Sequence, residues 1–206
     1  MAGLRKRLFA WMLNKGEAIN DRLYRSWKNH LFREIGGTVV EIGPGTGSNF
    51  KYFPPGLEWI GLEPNTFFHQ GILERARNRG IKATVNNSVA EKIALRDNSA
   101  DVVVCTLVLC SVKNLNEVLQ EIMRVLKNNG KLIFIEHVAA PRRTGLRNVQ
   151  NLFNPVNRFI ADGCNCNRET WMTIQQAGFS AVSLQHEKLK GAPFVTAPHI
   201  FGYAIK

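Results

Sequence analysis

Apolar residues recur every four positions at Ile19, Leu23, Trp27 and Leu31, which predicts one long or broken helix from about Leu4 to about Phe32. Gly36-Gly37 closes it. From there the rhythm becomes one of short β-rich runs separated by helical stretches. The predicted strands are Thr38 to Ile42, Leu57 to Leu62, Ile81 to Val85, Asp101 to Cys105 and Lys131 to Ile135. Helices are expected at about Asn65 to Arg79 and at Leu115 to Leu126, where Val118, Leu119, Ile122, Met123 and Leu126 share a face. Val102-Val103-Val104 and Leu132 to Ile135 are apolar throughout, as central strands covered on both sides are. Past Ile135 the pattern loosens. Pro141 to Asn157 is basic and Asn-rich, a short helix follows at about Arg168 to Ala177, and two last strands at Phe179 to Glu187 and Ile200 to Ile205 suggest an antiparallel finish. Strands alternating with helices point to right-handed βαβ units and a parallel sheet between helical layers.

Composition narrows the class. At 206 residues and 45% hydrophobic, the chain holds one ordinary domain with its own core. The longest apolar run, Val102 to Val112, includes Thr106 and Ser111, so no membrane-spanning helix is expected. A formal charge of +11 suits an anionic partner. The arginines at 142, 143 and 147 lack interleaved aromatics, so nucleic acid is not expected. The start is different: Phe9 and Trp11 lie opposite Arg5, Lys6 and Arg7, and residues 4–13 suit peripheral contact with a membrane surface or packing over a ligand. Four cysteines without a secretory signal favour a reducing, cytoplasmic setting.

The chemistry concentrates after the first strand. Glu41-Ile42-Gly43-Pro44-Gly45-Thr46-Gly47 takes a strand into a glycine loop and, on this reading, into a helix. Glu63 ends the next strand, where an acid accepts ribose hydroxyls in folds of this kind. Two cofactor classes use the layout, dinucleotides and S-adenosylmethionine. A dinucleotide fingerprint needs glycine at its sixth position; Ser48 stands there, and Gly-x-Gly-x-Gly after an acid suits the sulfonium cofactor.

These residues resemble the class I S-adenosylmethionine-dependent methyltransferases. Glu41 to Gly47 is similar to that family's first motif and Gly61-Leu62-Glu63-Pro64-Asn65 to its second. Ser88-Val89-Ala90-Glu91 matches its adenine-contacting segment, Asp97 to Val103 its lead into strand four, and Arg124 to Leu132 its turn into strand five. A narrower likeness, to the animal thiol S-methyltransferases, rests on Val104 to Val112, Glu136 to Ala140, Asp162 to Asn165 and Pro198 to Ala204. Those proteins are membrane-associated. Two departures stand out: only a short basic amphipathic start occupies the place of their hydrophobic anchor, and Val89 replaces an acid common in the larger family.

The resemblance implies a Rossmann-like three-layer α/β/α sandwich with a seven-stranded, mostly parallel sheet and an antiparallel C-terminal strand. It divides the chain into a basic helical extension, 1–36, and a methyltransferase domain, 37–206. Gly43, Gly45 and Gly47 would shape the methionine end of the cofactor and Glu63 would hold its ribose, with Glu41, Pro44, Pro64 and Asn65 also among the cofactor-binding residues. Val89 and Ala90 would meet the adenine, with Thr106 and Leu107 beneath the sulfonium. His137, Asp162 and Cys164 are the candidate catalytic residues, and a thiol is the favoured acceptor. A lipid, quinone or amine acceptor remains open, as does a non-catalytic protein that binds a membrane surface. Cys164-x-Cys166 lacks a second Cys or His pair at zinc spacing, so no metal is expected.

Overall fold

The computed structural model describes residues 2–206. Its sheet has seven strands: β1 (Thr38–Ile42), β2 (Glu58–Leu62), β3 (Lys82–Asn86), β4 (Ala100–Thr106), β5 (Leu126–His137), β6 (Ala181–Lys188) and β7 (Pro198–Ile205). Their order is β3-β2-β1-β4-β5-β7-β6. All neighbours pair in parallel except around β7, which runs antiparallel to both β5 and β6. The expected Rossmann-like sandwich is therefore present. Helices α1 (Ala2–Leu31) and α2 (His69–Asn78), then α3 (Leu115–Val125), α4 (Gly145–Ile160) and α5 (Thr170–Gln176), complete it.

Each face of the sheet buries its own cluster. On one, Val40, Val103, Cys105, Leu132 and Phe134 meet Val118, Leu119, Ile122 and Val125 of α3. The N-terminus of α3 is capped by the Asn114 side chain, which accepts from the backbone N–H groups of Asn116 and Glu117. On the other face, Val39, Val104, Ile133 and Ile135 meet Tyr24 and Trp27 of α1, together with Phe32, Phe50 and Trp59. The inward side of the N-terminal helix thus belongs to the same core as the sheet.

Three local expectations need correction. The helix expected directly after the glycine loop is only a 3₁₀ turn, Ser48–Lys51; Pro54-Pro55-Gly56 stops a longer one, since proline lacks the N–H a helix interior needs. Ile19 is exposed, although Trp27 on the expected stripe is buried. A four-residue spacing drifts by about 40° per step, which carries Ile19 off the arc that meets the sheet. The basic, Asn-rich stretch forms a 16-residue helix, α4, despite Pro155 in its interior.

Candidate active site

The C-terminal edges of β1, β2 and β4, closed over by α1, enclose a cavity of about 620 Å³. Helix α1 contributes Phe9, Leu13, Glu17, Asn20, Tyr24 and Lys28 to its wall; Phe9 and Leu13 fall in the stretch expected either at a membrane or over a ligand, while the other four were not expected at the site. Their spacing of four, four, three, four and four is one helical face, running beside the stripe that was expected. Lys6 seals the closure, its Nζ donating to the Pro64 carbonyl at 2.9 Å while its own carbonyl accepts from Asn65 Nδ2 at 3.1 Å.

Beneath the helix lies the glycine loop. Gly43 has φ +61°, and a Cβ there would lie 2.6 Å from Val108 Cγ2, so the loop can run this close to β4's edge only without a side chain. At Gly45 (φ +53°) an added Cβ would meet nothing nearer than Leu13 Cδ1 at 3.9 Å: it would project into the open space a ligand would use.

Two buried carboxylates order this loop. Glu63 accepts from the backbone N–H of Gly45 at 3.0 Å with one oxygen and from that of Asn65 at 2.8 Å with the other. Burial holds its carboxyl above the ordinary range, against the pull of those two donors. Glu41 accepts from Asn49 Nδ2 at 2.8 Å and Trp59 Nε1 at 3.0 Å. Burial pushes it up to about 7, with the two donors opposing the shift. Asn49 also donates to Thr106 Oγ1 at 3.1 Å. Its Oδ1, and the Oγ of Ser88 at the cavity's far end, are buried without a partner among the described residues. Both residues line the cavity, so two orphaned polar atoms stand where a polar ligand would meet them.

The floor is set by Glu136 at the end of β5. Its carboxylate accepts from the backbone N–H groups of Val108 and Leu109, both at 2.9 Å, and of Cys110 at 3.3 Å. That grip, with Leu107 N–H donating to the Ile135 carbonyl at 2.8 Å, holds Leu107 at φ +56°. A bulky residue in left-handed backbone is strained, and such strain persists where the surroundings impose it.

The other expected residues divide. Gly43, Pro44, Gly45, Glu63, Pro64, Asn65, Val89, Ala90, Thr106 and Leu107 all line the cavity, as does Glu41, while Gly47 instead precedes the 3₁₀ turn. Asp162 reaches the cavity wall at φ +45° and pairs with Arg5 of α1 at 2.9 Å. His137 and Cys164 do not line it. They lie buried together, His137 Nε2 2.9 Å from Cys164 Sγ, apart from Asp162. His199 is also buried. Its Nδ1 lies 2.9 Å from the Ala197 carbonyl, so that nitrogen carries the hydrogen and Nε2 accepts from Tyr24 Oη at 2.9 Å. Burial pushes the His199 ring down to about 4.

Comparison with known proteins decides the family. A methyltransferase domain model matches residues 40–134. Human thiol S-methyltransferase TMT1A is 37% identical, aligned over 98% of this chain and 87% of that protein. Human thiol S-methyltransferase TMT1B is 38% identical with the same coverage. The chain belongs to this methyltransferase family. It is an S-adenosylmethionine-dependent enzyme. Solved structures agree on the fold. A methyltransferase of Thermotoga maritima superposes with a TM-score of 0.64 at 21% identity, covering 96% of this chain and 98% of that one. Geranyl diphosphate C-methyltransferase of Streptomyces coelicolor, solved with S-adenosylhomocysteine, gives 0.69 at 14% identity, covering 89% and 79%. The methyltransferase's cavity fits the cofactor in chemistry: a glycine-rich loop, the buried Glu63 carboxylate and two unpaired buried polar atoms line it.

Proposed function

We propose that this methyltransferase transfers the methyl group to a small, apolar thiol, with the cofactor lying along the loop, Glu63 and the Ser88–Ala90 segment. S-adenosylmethionine supplies an electrophilic methyl on a sulfonium. The observation that carries the reading is Glu63: each oxygen spends one lone pair on a backbone N–H and keeps another for a ribose hydroxyl. Asn49 Oδ1, held in place by Glu41 and Thr106, accepts from the ammonium of the methionine end. Glu41 therefore acts as a positioning residue, since Asn49 and Trp59 already occupy its oxygens. Ser88 Oγ and the Ala90 backbone serve the adenine. Thr106 and Leu107 form the floor.

The acceptor class follows from chemistry and from the relatives. Methyl transfer is an in-line displacement, for which the protein chiefly supplies alignment and a dry pocket. A thiol with a reference pKa of about 8.5 is already partly thiolate, so no dedicated base is required. Phe9, Leu13, Val108 and Val112 give the cavity an apolar stretch of wall that suits such an acceptor. The relatives' printed activity, thiol S-methyltransferase, supports the same class. With methyl-labelled cofactor, a small alkyl thiol should take the label while a phenol and an amine do not. Glu63→Ala should weaken S-adenosylhomocysteine binding by about 100-fold in calorimetry, two charge-assisted hydrogen bonds being worth that much. Label on the amine or phenol alone overturns the thiol, and undiminished affinity in the variant overturns the cofactor placement.

A second reading concerns location. No helix among the described residues is long and apolar enough to cross a membrane. Leu4, Leu8, Trp11 and Met12 of α1 are nevertheless exposed on one side, as are Leu152, Val156, Phe159 and Ile160 of α4. The Arg5–Asp162 pair ties the two helices' neighbouring ends, and exposed Arg7, Arg143 and Arg158 supply positive charge around them. We infer that this face docks peripherally on an anionic bilayer. Co-flotation with phosphatidylserine vesicles, weakened by salt and by Trp11→Glu, is the expected result; no flotation overturns it.

A further inference from the structure

Three side chains able to ligate a metal, from separate segments, converge in the interior away from the cavity lining. Cys110 lies in the loop after β4, His137 ends β5, and Cys164 follows α4. The two Sγ atoms and a ring nitrogen of His137 lie within 4.8 Å of one another, and all three residues are buried. A tetrahedral ion with sulfur at about 2.3 Å and nitrogen at about 2.0 Å holds its ligand atoms about 3.5–3.8 Å apart. The cluster needs only small side-chain adjustments to meet that geometry. Two thiolates and a neutral imidazole also balance a divalent charge, so burying the complete set leaves no net charge.

The surroundings favour the same outcome. His137 Nε2 is the ring nitrogen turned toward Cys164, 2.9 Å from its Sγ, so the imidazole already presents a lone pair or N–H to the sulfur it would share a metal with. Asn157 Nδ2 donates to Cys164 Sγ at 3.2 Å, and Ser111 Oγ lies 3.5 Å from Cys110 Sγ. Arg168 adds positive charge, its guanidinium anchored on the Leu109 carbonyl at 2.6 Å. Ser111, Gly163 and Asn165, which flank the ligands in sequence, line a second cavity on that side of the molecule. Cys166 belongs elsewhere: its Sγ faces the Gln150 carbonyl and Asn154 Oδ1, both at 3.6 Å. The close pair Cys164 and Cys166 therefore does not make the site; distant residues do.

We propose that Cys110, His137 and Cys164 bind one Zn²⁺ ion, with water completing the coordination, and so staple the loop after β4 to β5 and to the loop after α4. The thiols give up their protons to the metal, so zinc uptake releases protons. The site is independent of which acceptor the enzyme methylates.

The test uses the full chain, reduced and then loaded with one equivalent of Zn²⁺ before desalting. Elemental analysis should find about one zinc per chain, and the thermal midpoint should rise. Cobalt in place of zinc should give a thiolate-to-cobalt charge-transfer band. Cys110→Ser, Cys164→Ser and His137→Gln should each weaken retention by more than about 100-fold, beyond the 10- to 100-fold that losing an outer hydrogen-bond partner costs. Cys105→Ser and Cys166→Ser should retain the ion. A wild-type chain that keeps no zinc and shows no cobalt band overturns the proposal, even if a variant fails to fold. Retention unchanged in all three ligand variants overturns it equally.

Discussion

Helices α3 and α4 are both amphipathic, yet they turn opposite sides to the protein. In α3 the apolar stripe, Leu115, Val118, Leu119, Ile122 and Val125, is buried against the sheet. In α4 the buried residues are Gln150 and Asn157, while Leu152 is 84% and Phe159 71% exposed. Gln150 satisfies three backbone groups: it accepts from Ala140 N–H at 2.7 Å and donates to the carbonyls of Val138 at 3.2 Å and Val195 at 2.9 Å. Asn157 donates to the Cys164 carbonyl at 2.8 Å. The inner side of α4 thus meets loop backbone, which needs hydrogen bonds, whereas α3 meets side chains of a sheet, which need apolar cover. Amphipathicity shows that a helix has two sides and leaves open which one the protein keeps.

The comparison can be broken most forcefully at α3. Ile122→Ala, leaving a cavity against the sheet, should cost about 2–5 kcal/mol in urea denaturation. A cost below that range would mean the stripe is not the anchor. The next effect separates neutral buried polarity from ionisable polarity. Glu41 holds its proton to about pH 7 in the folded chain, while its ordinary value is 4.5. Between those two values the unfolded chain has released the proton and the folded chain has not, so stability falls as pH rises, by about 3 kcal/mol at about 1.36 kcal/mol per unit. Glu41→Gln should flatten that dependence in denaturation curves taken across the window, whereas Gln150→Ala should leave its slope unchanged.

Smaller effects are expected on α4 itself. Gln150→Ala strands buried backbone groups and should cost about 1–3 kcal/mol by thermal or urea unfolding. Leu152→Ala, on the outer side, should stay within about 0.5 kcal/mol of the parent. Phe159→Glu should likewise leave the unfolding midpoint in place while reducing vesicle flotation. If Leu152→Ala destabilises the chain as much as Ile122→Ala does, the contrast between the two helices fails.

Local signals carried much of the fold. Each predicted strand is found within a few residues of its expected bounds, although β5 is much longer and begins directly after α3. The glycine loop and Glu63 were legible because both stand next to strand ends, where spacing alone places them on the sheet's edge. Helix α4 was not legible, since Pro155 and the run of asparagines mask a helical period that its Thr144 cap and its packing restore. The role of Glu136 was hidden too: it followed a strand like any acid, and only the loop folding back onto it shows three N–H groups to satisfy.

By itself, the order of residues determined which segments become strands and helices and where the chain must turn without a side chain, because those depend on neighbours a few positions away. Which side of α4 faces water, how α1 closes the cavity, and the meeting of Cys110, His137 and Cys164 were decided only by the folded molecule. A helix's rotation about its axis, and contact between residues tens of positions apart, follow from the surface on which each segment comes to rest.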